Sequence, residues 1–230
     1  MVKQERALRT RAAVIKAAAV QFDRAGYDGT SLSQISQLAG ISIGAVTFHF
    51  PTKQELADAV QLEGRSVTLA ALEARATTSQ PALCQVVDLT LELARLMEEE
   101  PSVRSAVRLG RERPGTASWS EAWLPAVRDL LEQAYAAGQL KESAPPADMV
   151  TLVEHLTSGA EAYIRSKIGT ETEFGSTIER LKRVWNLALA GVSAAPAPEA
   201  AHPAEDPLIV LGSTAEAARP APSPEPETTA

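Results

Sequence analysis

Apolar side chains recur at helical spacing near the start of the chain. Between residues 7 and 22, five apolar positions follow one another after three or four residues. These positions are Leu8, Ala12, Ile15, Ala19 and Phe22. Such spacing places them on one face of an α-helix and leaves most charged residues on the other face. Gly26 then predicts the end of the helix, because glycine readily adopts the left-handed conformation found at helix ends.

Two further helix starts carry capping patterns. Ser31 can cap a helix in which Gln34 reaches back to the cap, and Gly40 predicts where that helix ends. Thr52 and Glu55 repeat the pattern at the beginning of a third helix. Both patterns satisfy backbone amides that the first turn of a helix leaves without partners. The intervening segment therefore lies between two marked helix boundaries.

The intervening segment, ISIGAVTFHFPTK at residues 41–53, is rich in β-branched and aromatic residues, which alone would favour a strand. A single strand would have no partner in a chain that otherwise has helical patterns. We therefore interpret Ser42 as the cap of a helix of about two turns that ends at Pro51. A helix, a turn at Gly40 and Ile41, and a short helix form the helix-turn-helix arrangement.

This register predicts which side chains of the helix-turn-helix face the neighbouring helices. Those expected to face inward are Ile35, Ala39, Ile41, Val46 and Phe50. Those expected to face outward are Ser42, Ile43, Gly44, Thr47 and His49. The aromatic side chains are expected mostly to hold the short helix in place, so that small and polar groups form its outer face.

Helical patterns continue to residue 192, interrupted by prolines and glycines, without the alternation of strands and helices that marks a parallel sheet. The predicted fold class is therefore all-α. Residues 193–230 are mostly Ala, Pro, Glu, Ser and Thr, a composition typical of a disordered, acidic tail. One apolar stretch within it, PLIVLG at 207–212, either docks on a folded surface or is a chance run.

Charge is distributed unevenly along the 230 residues. The whole chain has a formal net charge of −7, whereas residues 1–54 carry seven basic and three acidic side chains, or +4. The remainder therefore carries −11. A basic first quarter on an acidic chain favours contact between that quarter and a polyanion, although an ordinary solvated surface would also explain it.

The sequence lacks the known catalytic and metal-binding patterns. Cys84 is the sole cysteine and lies in an apolar helical pattern, which indicates a buried thiol. The three histidines, His49, His155 and His202, lie in separate segments without metal-ligand spacing. No P-loop, dinucleotide-binding or nucleophile-elbow motif occurs. We therefore expect no enzyme activity, no catalytic residue, no metal and no cofactor.

The sequence also lacks targeting segments. The first residues, MVKQERALRTR, have no apolar core of the kind found in a signal peptide. No stretch approaches the roughly 18 uncharged apolar residues that span a bilayer. We expect a soluble, cytoplasmic protein.

The pattern of residues 7–60 resembles the DNA-binding region of the tetracycline-repressor (TetR) family of bacterial regulators. The matching positions are Thr10, Arg11, Ala17, Ala18, Phe22, Gly26, Tyr27, Ser31, Ile35, Ala39, Gly40, Gly44, Phe48, His49, Phe50, Lys53 and Leu56. The FHF variant at 48–50 is more similar to the γ-butyrolactone receptor branch of Streptomyces and related bacteria. AVRL at 106–109 and the segment 123–140 also resemble that branch.

The resemblance implies a domain organisation and a homodimer. A three-helix DNA-binding head would occupy residues 1–52, and an all-helical ligand-binding and dimerisation body would occupy 53–192, followed by the tail at 193–230. The segments 146–168 and 174–192 would pack against their copies in the partner subunit as a four-helix bundle. Two heads would then contact a palindromic operator in double-stranded DNA.

The resemblance also implies candidate DNA contacts. They are Ser31, Ser42, Ile43, Gly44, Thr47, His49 and Lys53. Lys53 would offer a phosphate both its ammonium and the free amides of a helix N-terminus, and Gly44 would let the backbone approach the DNA. Many family members have lysine in place of Ile43 and tyrosine in place of Thr47. An outward isoleucine can instead contact a thymine methyl, so these departures either alter the preferred operator or weaken DNA binding.

Trp123 matches the tryptophan that this branch places in its ligand pocket. A series with helical spacing is expected to form one apolar face, namely Trp119, Trp123, Val127, Leu130 and Ala134. Pro125 within the series favours a helix start near residue 124. The candidate ligand contacts, which would line one cavity, are Trp123, Trp119, Val127, Val87, Leu91 and Tyr163. Plain core packing would explain the same pattern.

The resemblance as a whole implies a transcriptional repressor that a small γ-butyrolactone-type signal releases from DNA, in the control of secondary metabolism. Two other interpretations stay open. The chain could be a receptor-like regulator that answers an antibiotic, a biosynthetic intermediate or no ligand. It could also be a protein-interaction module that has lost DNA binding, as Ile43 and Thr47 would allow.

Overall fold

A computed structural model describes residues 2–75, 79–167 and 176–194. Within these ranges the chain forms nine α-helices and one short 3₁₀ helix. The α-helices are α1 (Val2–Ala25), α2 (Leu32–Ala39), α3 (Ile43–His49), α4 (Lys53–Arg75), α5 (Ala82–Glu99), α6 (Pro101–Glu112), α7 (Leu124–Ala136), α8 (Pro146–Lys167) and α9 (Thr177–Val192). The 3₁₀ helix lies between α6 and α7. The predicted all-α fold is confirmed, and the predicted tail lies outside the described residues from 195 onward.

Local sequence signals explain the boundaries of the first three helices. Gly26 follows α1 with a φ of +76°, and Gly40 follows α2 with a φ of +67°, so both predicted glycine stops are confirmed. The Ser31 hydroxyl accepts a hydrogen bond from the Gln34 amide (3.2 Å) and forms the predicted capping box. The Ser42 hydroxyl caps α3 in the same way.

The head is built from α1, α2, α3 and the start of α4 around one apolar cluster. Its fully buried members are Val14, Ala18, Phe22, Ile35, Val46, Leu56, Ala57, Val60 and Leu109. α1 begins at Val2, before the apolar pattern at 7–22, and an exposed Glu5–Arg9 ion pair (2.6 Å) lies in its polar first turns. Leu109 comes from α6, so the head core also contains a side chain from the body.

The body helices α5, α7, α8 and α9 enclose a second apolar cluster, to which α4, α6 and the 3₁₀ helix add side chains. Its largest buried side chains are Leu93, Met97, Leu131, Met149 and Trp185. The described helices of head and body lie within one compact unit, Met1–Ala197. The boundary at residue 52 therefore stays a prediction.

The two tryptophans near residue 120 do not lie on one helix face, so that prediction is wrong. Trp119 lies on the 3₁₀ helix (Trp119–Ala122), whereas α7 begins at Leu124 with Pro125 in its first turn. Proline is favoured there because a first-turn amide needs no partner within the helix. Trp119 and Trp123 are both buried, but different elements position them.

α8 and α9 correspond to the two segments expected to pair with a partner subunit. α9 begins after Ser176, whose hydroxyl accepts a hydrogen bond from the Ile178 amide (3.2 Å). Each helix buries one side in the body core, and α9 leaves two large apolar residues exposed on its other side. None of the described helices is long and apolar enough to cross a membrane.

Candidate functional site

α3 lies on the surface of the head with one side buried. Val46 is fully buried and Phe50 almost so, and these two side chains anchor the helix. The Phe50 amide donates to the Val46 carbonyl (2.8 Å), and Pro51 then prevents the helix from continuing. All five residues predicted to face inward are buried or half-buried: Ile35, Ala39, Ile41, Val46 and Phe50.

The opposite side of α3 is exposed to solvent. Ser42, Ile43, Gly44 and Thr47 are exposed and His49 is half-buried, which confirms their outward orientation. The Thr47 hydroxyl lies 3.1 Å from the Ile43 carbonyl and 3.2 Å from the Gly44 carbonyl, to which it donates. This donor is therefore engaged within the helix. Contact of these residues with DNA stays a prediction.

Phe48 also lies on the exposed side of α3. The prediction that the aromatic side chains hold this helix in place is correct for Phe50 but wrong for Phe48, which is 81% exposed. The reason is register: two residues beyond the buried Val46, the helix has turned by about 200°. The Phe48 ring packs edge-on against His49, with ring centroids 5.2 Å apart. Phe48 joins the candidate DNA-facing residues, and the helical period could have identified it.

Lys53 begins α4, but its ammonium is engaged inside the head. Nζ donates to the carbonyls of Tyr27 (3.0 Å) and Thr30 (3.2 Å). It also lies 4.3 Å from the centroid of the Tyr27 ring. The side chain thus ties the loop after α1 to α4, and a DNA phosphate would compete with two carbonyls for it. Near this loop, the exposed Ser31 donates its hydroxyl to Gln34 Oε1 (3.0 Å).

The body contains a cavity of about 250 Å³ beside the two tryptophans. Residues that line it include Met97, Val107, Trp119, Trp123, Thr157 and Glu161. The Trp119 and Trp123 rings have centroids 5.8 Å apart and form an aromatic wall. Trp119 Nε1 donates to the Thr68 hydroxyl on α4 (2.8 Å), so this wall is connected to the helix that leads from the head.

Two buried polar atoms on residues of this cavity have no hydrogen-bond partner among the described residues. They are Trp123 Nε1 and Thr157 Oγ1. A buried donor without a partner costs about 1–3 kcal/mol, and most such groups in proteins are paired. A hydrogen-bond acceptor that reached either group would remove its cost.

The structure brings together only part of the predicted ligand site. Both tryptophans line the cavity, and Val127 is fully buried in the adjoining core. Val87 and Leu91 pack half-buried against the same core from α5. Tyr163 lies in a groove between α8 and α9, so its predicted place in the tryptophan cavity is wrong. It is six residues beyond Thr157 and about 240° around α8 from it. No sequence signal pointed to Thr157, because one threonine in a helix carries no pattern.

A charged cluster borders the same cavity. Arg111 donates both terminal nitrogens to the Glu161 carboxylate (2.9 and 2.8 Å), and Arg165 Nε donates to it as well (2.8 Å). Burial raises the pKa of Glu161, but the hydrogen bonds from the two guanidinium groups outweigh this effect and hold the pKa below its usual value. The carboxylate is thus ionised and already paired with two guanidinium groups.

The loop after α6 connects the edge of the cavity with the head. The buried Arg113 guanidinium donates to Asp58 Oδ1 (2.6 Å) and Gln61 Oε1 (2.7 Å), both on α4. It also lies 5.1 Å from the centroid of the Tyr27 ring in the head. Gln61 Nε2 donates to the Thr116 hydroxyl further along the same loop (3.0 Å). Movement of this loop would therefore disturb its contacts with α4 and with the head.

Comparison with known proteins identifies the family. Residues 14–60 match the pattern described as bacterial regulatory proteins, tetR family. The A-factor receptor protein of Streptomyces griseus is 26% identical over 203 residues, which cover 86% of this chain and 71% of that protein. A crystal structure of a γ-butyrolactone receptor (ArpA-like protein) is 26% identical with a TM-score of 0.68, and the match covers 83% of this chain and 91% of the other.

A third relative completes the comparison. The crystal structure of full-length native TylP, a TetR regulator from Streptomyces fradiae, is 30% identical with a TM-score of 0.54, and covers 84% of this chain and 83% of the other. The chain belongs to the TetR family of bacterial transcriptional regulators and is related to γ-butyrolactone receptors. α2 and α3 form its DNA-binding helix-turn-helix.

Proposed function

We propose that this regulator is a repressor that acts as a dimer on a palindromic operator. A small γ-butyrolactone-type signal releases it from DNA in the control of secondary metabolism. The proteins to which it is similar include an A-factor receptor and a γ-butyrolactone receptor. The observation that carries the ligand proposal is the pair of unpartnered buried groups, Trp123 Nε1 and Thr157 Oγ1, on one cavity.

A lactone suits this pair of groups chemically. Its carbonyl and ring oxygens accept hydrogen bonds, whereas the Trp123 indole N–H donates and the Thr157 hydroxyl can donate. Its alkyl part would be buried against the aromatic wall. The cavity of about 250 Å³ is smaller than the roughly 300–1,000 Å³ of typical small-molecule sites, so ligand entry would expand the body.

Expansion of the cavity would reach the head through the loop after α6. Arg113 and Thr116 in this loop hold Asp58 and Gln61 on α4, and Arg113 also contacts Tyr27. Release requires that the ligand binds the released form more tightly than the DNA-bound form. A loop that packs differently in the two forms would supply this difference in affinity.

Trp123→Phe and Thr157→Val test the proposed site, because each removes one donor and keeps most of the side-chain volume. Both variants should bind DNA sequences selected from a random pool as the unaltered protein does. Half-maximal release should require about tenfold more synthetic alkyl γ-butyrolactone, since one such hydrogen bond contributes about 1–1.5 kcal/mol. A gel-shift titration with increasing lactone measures the change.

Trp185→Phe is the matched control for these variants. The Trp185 indole N–H is also buried without a partner in the described part of the chain, but this side chain is not among those that line the cavity. Its removal should leave the lactone dependence unchanged. Normal release of a Trp123→Phe, Thr157→Val double variant would contradict the proposed site. Release by an antibiotic, with no response to lactone, would favour the receptor-like alternative.

A further inference from the structure

The exposed side of α3 has a defined centre. A helix turns by about 100° per residue. Gly44, two residues before the buried Val46, and Phe48, two residues after it, therefore each lie about 160° from Val46 around the helix. Thr47 lies only about 100° from Val46 and therefore points to the side. The line that faces directly away from the head core is thus formed by Gly44 and Phe48.

The exposed surface of α3 is largely apolar. Phe48, on this line, is 81% exposed, and Ile43, which lies about 60° from Val46 at the edge of the surface, is 48% exposed. The Thr47 hydroxyl donates to the backbone of its own helix, which leaves its methyl group as the outermost part. The Ser42 hydroxyl caps the helix. Apart from His49, which is half-buried, the described side chains of this surface offer few free hydrogen-bond donors to base edges.

The major groove contains one apolar group, the 5-methyl of thymine. We propose that Phe48 and Ile43 recognise thymine methyl groups, so that each operator half-site carries thymines beneath α3. This proposal rests on the DNA binding that family membership establishes, and it concerns which bases the protein recognises. It also assigns base recognition to the Phe48 side chain rather than to the hydroxyl of Thr47.

The geometry around Phe48 favours this contact. Helical side chains lean towards the N-terminus of their helix, so the Phe48 ring lies towards the turn that contains Gly44. A Cβ at Gly44 would have only Ser42 Oγ within reach, at 4.0 Å, so open space adjoins this backbone. His49 packs edge-on against the Phe48 ring and restricts its orientation. A large, oriented apolar surface can therefore approach the groove closely.

Deoxyuridine substitution tests the proposal, because uracil lacks only the methyl group and keeps every hydrogen-bonding atom of thymine. Sequences are first selected from a random DNA pool with the unaltered protein, and each thymine of a half-site is then replaced singly by deoxyuridine. Binding should weaken about fourfold at one or more positions, which corresponds to one buried methyl group. Phe48→Ala and Ile43→Ala should each lose the penalty at one of these positions.

Leu62→Ala, at an exposed leucine on α4, is the control and should keep the full penalty. Phe48→Leu separates apolar contact from ring-specific contact and should keep part of it. Circular dichroism verifies the fold of each variant. The proposal is overturned if tight binding is insensitive to deoxyuridine, or if Phe48→Ala and Ile43→Ala keep the full penalty. A selection that recovers no sequence would instead overturn operator binding itself.

Discussion

Two carbonyl oxygens in the loop after α1 accept hydrogen bonds from one side chain, Lys53, at 3.0 and 3.2 Å. They belong to Tyr27 and Thr30, in the turn between α1 and α2, where the Tyr27 carbonyl also accepts a hydrogen bond from the Thr30 amide (3.3 Å). The same ammonium lies over the Tyr27 ring. At the scale of single residues, a side chain that the sequence predicts to contact DNA therefore also joins two segments of the head without DNA.

We predict that Lys53→Met lowers the free energy of unfolding by about 1–3 kcal/mol, because it removes the donor from two partly buried carbonyls. A lysine that only contacted phosphate would leave stability unchanged and would supply about one released counterion on DNA binding. Urea denaturation of the free protein, followed by circular dichroism, distinguishes these two roles.

Lys16→Met is the matched control for this prediction. Lys16 lies exposed on α1, and its replacement should change the free energy of unfolding by less than about 0.5 kcal/mol. If Lys53→Met and Lys16→Met unfold at the same urea concentration, the contacts with the Tyr27 and Thr30 carbonyls do not stabilise the head.

The difference between these residues explains how much of the site the sequence could predict. The helix caps are formed by hydrogen bonds between residues only a few positions apart, at Ser31, Gly40 and Ser42. The local sequence pattern was therefore enough to locate them. Lys53 and Tyr27 are 26 residues apart, and their contact depends on how α1 and α4 pack. Phe48 could have been predicted in part. The helical period places it opposite Val46 and therefore outward, whereas its aromatic character favours a buried position.

At the scale of helices, α4 and α6 lie in close contact at Gly64. A Cβ on Gly64 would lie 2.5 Å from the Ser102 carbonyl oxygen and 2.6 Å from the Ala106 Cβ. Both distances are shorter than non-bonded atoms tolerate, so the two helices would have to separate. A single glycine inside a helical pattern is a weak signal, because the sequence does not show which helix crosses there. This crossing was therefore not predicted.

We predict that Gly64→Ala destabilises the protein by about 1–3 kcal/mol, although alanine favours the helix by about 1 kcal/mol, because overpacking at the crossing outweighs propensity. Separation of α4 from α6 should also change the lactone concentration needed for release, since α4 carries the Asp58 and Gln61 contacts. Urea denaturation and the gel-shift titration measure the two effects.

Gly44→Ala provides the control for the substitution itself. Gly44 lies in α3, and among the described residues only Ser42 Oγ, at 4.0 Å, comes near a Cβ built on it. In urea denaturation without DNA this variant should be neutral or slightly more stable, because alanine has the higher helix propensity. Equal tolerance of alanine at Gly64 and Gly44 would show that the crossing can relax without cost.

At the scale of the whole molecule, α8 and α9 present an apolar surface that one subunit leaves uncovered. Leu187 on α9 is 77% exposed, and Val184 one turn earlier is 38% exposed. Leu156, Tyr163 and Val184 border a groove of about 240 Å³ between the two helices. Exposed apolar surface of this kind is typical of an interface. It supports the proposed dimer, in which the same helices of a second copy would cover it.

We predict that Leu187→Glu yields a folded monomer, because each subunit of the dimer would otherwise bury an unpaired carboxylate in an apolar interface. Operator affinity should fall by about 100-fold or more, since one head contacts only half of a palindrome. Sedimentation measures the mass of the protein, and a gel shift measures its affinity for the operator.

Leu62→Glu is the control for this prediction. It alters a leucine on α4 that is 67% exposed, and the variant should remain dimeric and bind DNA. A Leu187→Glu protein that sediments as a dimer would place the interface elsewhere.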